Sequence, residues 1–268
     1  MRPRADAGIV GDMARVLITG SADGLGLMAG RQLLDEGHEV VLHARNESRA
    51  SDTRAAAPEV EAVLVGDLAS IDETRKVADQ ALAAGPFDAV IHNAAVGYRE
   101  PHRVVTVDGL AHVFAINVLA PYLLTALVPA PARLVYLSSG MHSSADPDLD
   151  DLQWERRRWN GSRAYAESKL FDTVLAFGIA RRWPSVLSNA VDPGWVPTRM
   201  GGRGAPDDIS QGATTQTWLA TSADSAAKGT GGYLYHRQPR DSHPAAHDPR
   251  VQDGLLAACA TLTGVEIS

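Results

Sequence analysis

RVLITGSADGLG, residues 15–26, carries an apolar, β-branched stretch straight into a turn with glycines at 20, 24 and 26. RVLITG (15–20) reads as a strand and residues 24–36 as a helix, so the glycines stand at a strand-to-helix corner. There they permit a tight turn, close approach of a ligand to the backbone, and a helix whose first N–H groups face a pyrophosphate. Many such corners carry glycine for steric reasons alone. What favours a nucleotide is the spacing G-x-x-x-G-x-G directly after the first strand.

Outward from that corner, apolar runs alternate with helical patterns. EVVLHA (39–44), VEAVLVGD (60–67), DAVIHNA (88–94), RLVYLSS (133–139), SNAVDPG (188–194) and YLYH (233–236) read as strands. Residues 70–84 and 162–183 read as helices, the second with Leu170, Val174 and Phe177 on one face. Short β-branched runs separated by helices make βαβ units, and hence a parallel sheet covered on both faces. The expected fold is α/β: a single doubly wound Rossmann-type domain over residues 14–268, with a parallel sheet and helices on both faces. An N-terminal extension, residues 1–13, precedes it, and residues 1–12 are expected to be dispensable.

Composition narrows the function classes. A chain of 268 residues is long enough to bury most of its apolar surface without a staple. The single Cys259 cannot form an internal disulfide, and no charged-then-apolar leader opens the sequence, so the expected compartment is a reducing cytoplasm. Net charge is −7, and the one basic cluster, Arg156-Arg157-Arg158, is flanked by Trp154, Glu155 and Trp159, which argues against nucleic acid. Residues 109–132 carry no Asp, Glu, Lys or Arg, yet His112, Asn117, Pro121 and Pro129 favour a buried or interface helix over a membrane span. The nine histidines show no H-E-x-x-H or paired spacing, so no metal site is expected.

SRAYAESKLF (162–171) sets Tyr165 and Lys169 one helical turn apart in a chain with three lysines, Lys76, Lys169 and Lys228. Composition alone predicts roughly 0.07 such pairs. A solvated pair on a helix surface is one reading. The other is chemical: a phenol with a pKa near 10 shuttles protons poorly at neutral pH, and a nearby ammonium favours the phenolate.

In their order and spacing these segments resemble the short-chain dehydrogenase/reductase family, over about residues 14–262. The residues that carry the likeness are the glycine turn, Asp67-Leu68, Asn93-Ala94-Ala95, Asn117, Ser139, Tyr165 with Lys169, and Pro193-Gly194. SSGMH followed by DLDDLQWERRRWNGSRAYAESKL resembles the retinol-dehydrogenase-like branch, with its longer Ser-to-Tyr connection, here 26 residues. His92-Asn93-Ala94-Ala95 departs from the family's usual Asn-Asn-Ala-Gly, although a small residue still follows the asparagine.

The resemblance implies a set of roles. Tyr165 is the general acid for ketone reduction, or the base for alcohol oxidation, and Lys169 lowers its pKa and binds the nicotinamide ribose. The second serine, Ser139, holds the substrate oxygen, while Ser138 and Ser139 alike can satisfy backbone at a turn. Pro121 has no N–H to give Asn117, whose carbonyl is then free to hold a water in the family's proton relay. Cofactor contacts fall to Gly20, Ser21, Asp23, Gly24, Leu25 and Gly26 at the turn, and to Asp67 and Leu68 at the adenine. Asn93 and Ala94 belong to the same set, with turn stabilisation the other role for Asn93. Pro193, Gly194, Val196 and Thr198 flank the nicotinamide, with helix capping the other role for Thr198. Residues 195–210, rich in Gly and Pro, occupy the family's substrate-lid region.

The cofactor expected is NADP (NADPH). EVVLHARN ends the second strand in His43 and Ala44 where an NAD enzyme carries an acid, and Arg45 follows with a guanidinium suited to a 2′-phosphate. Asp23 adds no attraction for that phosphate and is expected to face solvent or cap the next helix. The function expected is reduction of a ketone or aldehyde, or oxidation of the corresponding alcohol, by hydride transfer with a Ser-Tyr-Lys-Asn relay. The alternative is a non-catalytic NADP-binding sensor, which would typically have lost the tyrosine or the lysine. Partners expected are a small-molecule carbonyl or alcohol substrate, no nucleic acid and no membrane span, with a homo-oligomer through the helices at 109–129 and 162–183 as one further option.

Overall fold

The computed structural model describes residues 13–267, so all of the expected N-terminal extension except Met13 lies outside the described residues. Eight strands form one sheet: β1 (Arg15–Ile18), β2 (Glu39–Ala44), β3 (Ala62–Val65), β4 (Ala89–His92), β5 (Arg133–Leu137), β6 (Leu187–Asp192), β7 (Tyr233–Tyr235) and β8 (Gln238–Pro239). Their order is β3-β2-β1-β4-β5-β6-β7-β8. All pairs are parallel except β7 with β8, a short antiparallel edge that the sequence reading did not include. The chain runs outward one way from β1 to β3 and the other way from β4, so the C-terminal ends of β1 and β4 flank the switch point where doubly wound sheets collect ligands.

Strand side chains alternate between two cores, as the period of two requires. Leu17, Val41, Val90 and Tyr136 enter one, with Val16, Ile18, Val40 and Leu42 in the other. The first core is covered by α3 (Ile71–Ala84), α5 (Ala120–Leu127), α6 (Gly161–Arg182) and α8 (Pro249–Thr263), the second by α1 (Gly24–Asp35) and α7 (Thr214–Thr221). One helix, α2 (Glu47–Ala56), has almost no apolar stripe, burying only Ala50 and Thr53. Asn46 starts it by accepting a hydrogen bond from Arg49 N.

The uncharged stretch 109–132 contains a shorter helical segment, α4 (His112–Phe114), that widens into a π-turn at Ala115–Leu119 before continuing as α5. Pro121 explains the break: without an N–H it cannot serve the Asn117 carbonyl, and the ladder shifts so that Ala120 N reaches Ala115 O. Every residue from Ala115 to Thr125 is buried within one chain, as is every residue of α6 from Ala164 to Ile179. Neither helix therefore needs a second copy to cover it. Among the described residues no helix is long and apolar enough to cross a membrane, and no group of three or more His, Cys, Asp or Glu could hold a metal ion.

Candidate active site

The glycine turn is closed from two sides. Gly20 has φ +60°, and a Cβ there would stand 2.5 Å from Ala94 Cα; on Gly26 it would stand 2.5 Å from Asn93 Nδ2. Those contacts press the β1 turn against the end of β4. Asn93 Nδ2 donates to Thr19 O and Gly20 O, both at 2.9 Å, so its side chain stabilises the turn. Ser21 is also spent on backbone, donating to Ile18 O at 2.7 Å. Above Gly24 (φ +54°) the space is open to 4 Å, and Asp23 makes no side-chain cap to α1, so the first N–H groups of that helix receive no capping carboxylate. Leu25 stands beside them in the same turn. A cradle of this kind fits a pyrophosphate.

His43 completes the turn, a role the sequence reading missed. It is 2% exposed; its Nδ1 accepts from Gly20 N at 3.0 Å and its Nε2 lies 2.9 Å from Gly66 O, which fixes the tautomer with the proton on Nε2. Burial holds its pKa below the usual histidine range, against the pull of Gly66 and Asp67. A polar residue inside the buried run EVVLHA was the available signal.

At the far end of β2, Arg45 is exposed and follows the strand directly. Asp23 is exposed to solvent, as one of its two expected roles had it, and its side chain does not cap α1, which corrects the other. Its carboxylate takes Arg49 Nη2 at 2.6 Å and Arg199 Nη1 at 3.4 Å. Arg49 thus brings a second guanidinium to the glycine turn, a contact between residues 26 apart that spacing could not show. Asp67 binds its own turn, accepting from Ala69 N, and the Leu68 side chain is in the core.

At the C-terminal end of β5 the two serines separate. Ser138 is buried and donates to Lys169 O at 2.7 Å, tying the strand to α6. Ser139 is half-buried and faces Tyr165, with Met141 N 3.3 Å from its hydroxyl. Lys169 Nζ is 5.8 Å from the centroid of the Tyr165 ring and donates to Leu137 O at 2.7 Å and Asp172 Oδ2 at 2.8 Å. Lys169 pulls the phenol down as expected, but the net direction is the opposite one. Burial pushes the Tyr165 pKa up; Lys169 and Ser139 oppose this, while Asp172 and Asp192 reinforce it. The Asn117 side chain clamps neighbouring elements, accepting from Val96 N at 2.8 Å and donating to Ser168 Oγ at 2.9 Å. The two hydrogen bonds of Lys169 Nζ lead to Leu137 and Asp172, so it does not touch Asn117 directly.

The loop after β6 roofs this site. Gly194 has φ +83°, and a Cβ there would meet Asp207 Oδ2 at 2.7 Å. Pro193 leads into it, Val196 is buried, and Thr198 Oγ1 accepts from Gly201 N at 3.1 Å, a turn contact rather than a cap on a regular helix. Met200 Sδ lies 3.8 Å from the Tyr165 hydroxyl, and Tyr98 packs edge-on to the Tyr165 ring at 5.6 Å. Neither Met200 nor Tyr98 was expected here.

The Ser-to-Tyr connection is held to the N-terminal half of α6 by a buried ionic cluster. Arg157 bonds Asp151 Oδ2 at 3.0 Å and Glu167 Oε2 at 3.1 Å, and lies 4.0 Å over the Trp154 ring. Trp154 Nε1 donates to Glu167 Oε2 and Trp159 Nε1 to Glu100 O, so both tryptophans pack the connection against the body.

Known proteins resemble this chain in sequence and in architecture. The family model of the short chain dehydrogenases matches residues 14–136. An oxidoreductase of Emericella nidulans is 41% identical over 259 residues, 95% of this chain and 99% of the relative. The short-chain dehydrogenase chry4 of Gibberella zeae is 40% identical over the same shares, and human retinol dehydrogenase 13 is 29% identical over 94% of this chain and 85% of its own. Among solved structures, a protein of Mycobacterium paratuberculosis superposes with a TM-score of 0.81 at 26% identity, covering 95% of both chains. The blue fluorescent protein from a metagenomic library, in complex with NADPH, does so with a TM-score of 0.68 at 22% identity, covering 84% of this chain and 96% of its own. With relatives 40% and 41% identical along nearly its whole length, the chain belongs to the short-chain dehydrogenase family of oxidoreductases.

Proposed function

We propose that this oxidoreductase uses NADP(H) to interconvert a carbonyl and the corresponding alcohol, with Tyr165 as the proton-transfer group. The observation that carries the reading is the placement of Tyr165 beside Ser139, with Lys169 5.8 Å from its ring, at the sheet end that also bears the glycine turn. NADPH, when bound, supplies the hydride. Gly20, Gly24, Leu25 and Gly26 would receive its pyrophosphate, Asp67 and Leu68 its adenine side, and Arg45, with Arg49 nearby, its 2′-phosphate. The same fold holds NADPH in the blue fluorescent protein structure.

Tyr165 gives its proton to the substrate oxygen in the reducing direction and takes it back in the oxidising one. Ser139 orients that oxygen, Ala94 and Pro193 to Thr198 border the nicotinamide side, and Asn117 joins Lys169 in returning protons from solvent. Tyr98 and Met200 make an apolar wall against the reacting face, which suits a flat, ring-bearing carbonyl. The free, buried Cys259 fits a reducing cytoplasm.

NADPH consumption across a panel of ketones, aldehydes and polycyclic quinones tests this. Turnover with at least one class is expected. Tight NADPH binding with no turnover on any would favour the sensor instead.

A further inference from the structure

Asp172 stands one turn beyond the Tyr165–Lys169 pair and is as deeply buried as the lysine: its side chain is 3% exposed and that of Lys169 is 2%. Its Oδ2 takes a hydrogen bond from Lys169 Nζ at 2.8 Å, and Leu137 O takes another at 2.7 Å. Two of the three ammonium donors are therefore directed into the protein. We propose that Asp172 is a positioning residue of this site, whose carboxylate holds the Lys169 ammonium in place and offsets the positive charge that lysine presents to Tyr165.

The surroundings of the pair are few and identifiable. From α6 they are Lys169 and Tyr165 themselves. From β5, Tyr136 faces the carboxylate, its phenol pushed up by burial with Asp172 adding to the rise. Behind it His92 of β4 stacks on the Tyr136 ring at 4.7 Å, its own pKa pushed down by burial to about 3 and the ring therefore neutral. From β6, Asp192 adds a second negative field at Tyr165. Tyr165 thus feels one cation and two carboxylates. Burial raises the Asp172 carboxyl, and Lys169 pulls it back. With Asp172 ionised the pair has no net charge, and the lysine can favour the phenolate only weakly. With that charge removed, the ammonium acts on Tyr165 without opposition.

Asp172→Asn separates the electrostatic role from a merely structural one, because the amide oxygen can still accept from Nζ while the charge is gone. The inference rests on Tyr165 being the proton-transfer group. For the folded variant, the apparent pKa governing alcohol-side kcat should fall by about one unit, and oxidation at pH 7 should rise several-fold relative to wild type. A folded Asn variant with the wild-type pH profile overturns the proposal. Should the Asn variant not fold, Asp172→Ser takes its place, and ultraviolet difference titration of each protein against its Tyr165→Phe counterpart reads the same quantity without turnover. Tyr165 ionising at lower pH in the Asp172 variant than in wild type supports the offset, and equal ionisation in both, which burial alone would give, overturns it. If Tyr165→Phe instead keeps full turnover, the functional reading fails, while the titration still judges the Lys169–Asp172 pair.

Discussion

Arg157→Met should destabilise the fold far more than its position in a run of three arginines suggests. The guanidinium makes two hydrogen bonds to Glu167, at 3.2 and 3.1 Å, and two to Asp151, at 3.0 Å to Oδ2 and 2.8 Å to the carbonyl. Both carboxylate side chains are only 3% exposed. Methionine fills much of the space over Trp154 but leaves those carboxylates without their cation. Removing one partner of a buried ion pair costs about 3–5 kcal/mol, and the 24% exposure of the Arg157 side chain places this case at the low end, about 3 kcal/mol. For a chain of this size that corresponds to a Tm lower by roughly 6–9 °C.

The deficit carries a pH signature. Burial already holds Glu167 above its ordinary value, with Arg157 opposing the rise. Without Arg157 its folded pKa rises further above the unfolded one. Such a carboxyl favours the fold while protonated and loses that contribution as pH rises through the folded value. The deficit of the Met variant should therefore shrink as pH is lowered from 7 toward 5. Thermal unfolding at both pH values, with the exposed Arg158→Ala as control, decides it. A Met variant within about 0.5 kcal/mol of that control at pH 7 would refute the idea that this cluster anchors the connection.

Three further outcomes follow from the cofactor end. Gly26→Ala drives a Cβ to within 2.5 Å of Asn93 Nδ2, so NADPH affinity measured by fluorescence titration should fall at least about tenfold with the fold retained. Arg45→Ala should reduce the NADPH-over-NADH ratio of kcat/KM by on the order of 10- to 100-fold, and Arg49→Ala should lower it in the same direction, whereas an unchanged ratio in both would remove the 2′-phosphate assignment. His43 is neutral in the fold with its pKa held down, so its contribution is present above the ordinary value and is lost as pH falls below it; urea midpoints at pH 7 and 5 should differ less in His43→Gln than in wild type.

The strands and the Tyr165–Lys169 helix were legible because buried parallel strands are β-branched runs and a long buried helix keeps its apolar period. The glycine turn and Asn93 were legible for a local reason, since backbone approach leaves room only for small residues. The helix α2 was not, because its residues ESRASDTRAA are nearly all polar and a cap at Asn46 substitutes for a stripe. The contacts of Arg49 with Asp23 and of Arg157 with Glu167 join residues 26 and 10 apart, which periodicity does not register. The direction of the Tyr165 shift was missed for a related reason. A one-turn Tyr–Lys spacing shows the charge that favours the phenolate, but neither the desolvation that opposes it nor the carboxylate behind the lysine.

The central claim is that Tyr165 transfers the proton while the remaining residues bind and orient. Steady-state reduction of the best carbonyl substrate by NADPH, compared between wild type and Tyr165→Phe, tests it most directly, with NADPH affinity and Tm measured alongside. Loss of the hydroxyl should lower kcat by about 10²–10⁴-fold while affinity and Tm change little. A Phe variant that turns over at the wild-type rate would contradict the account.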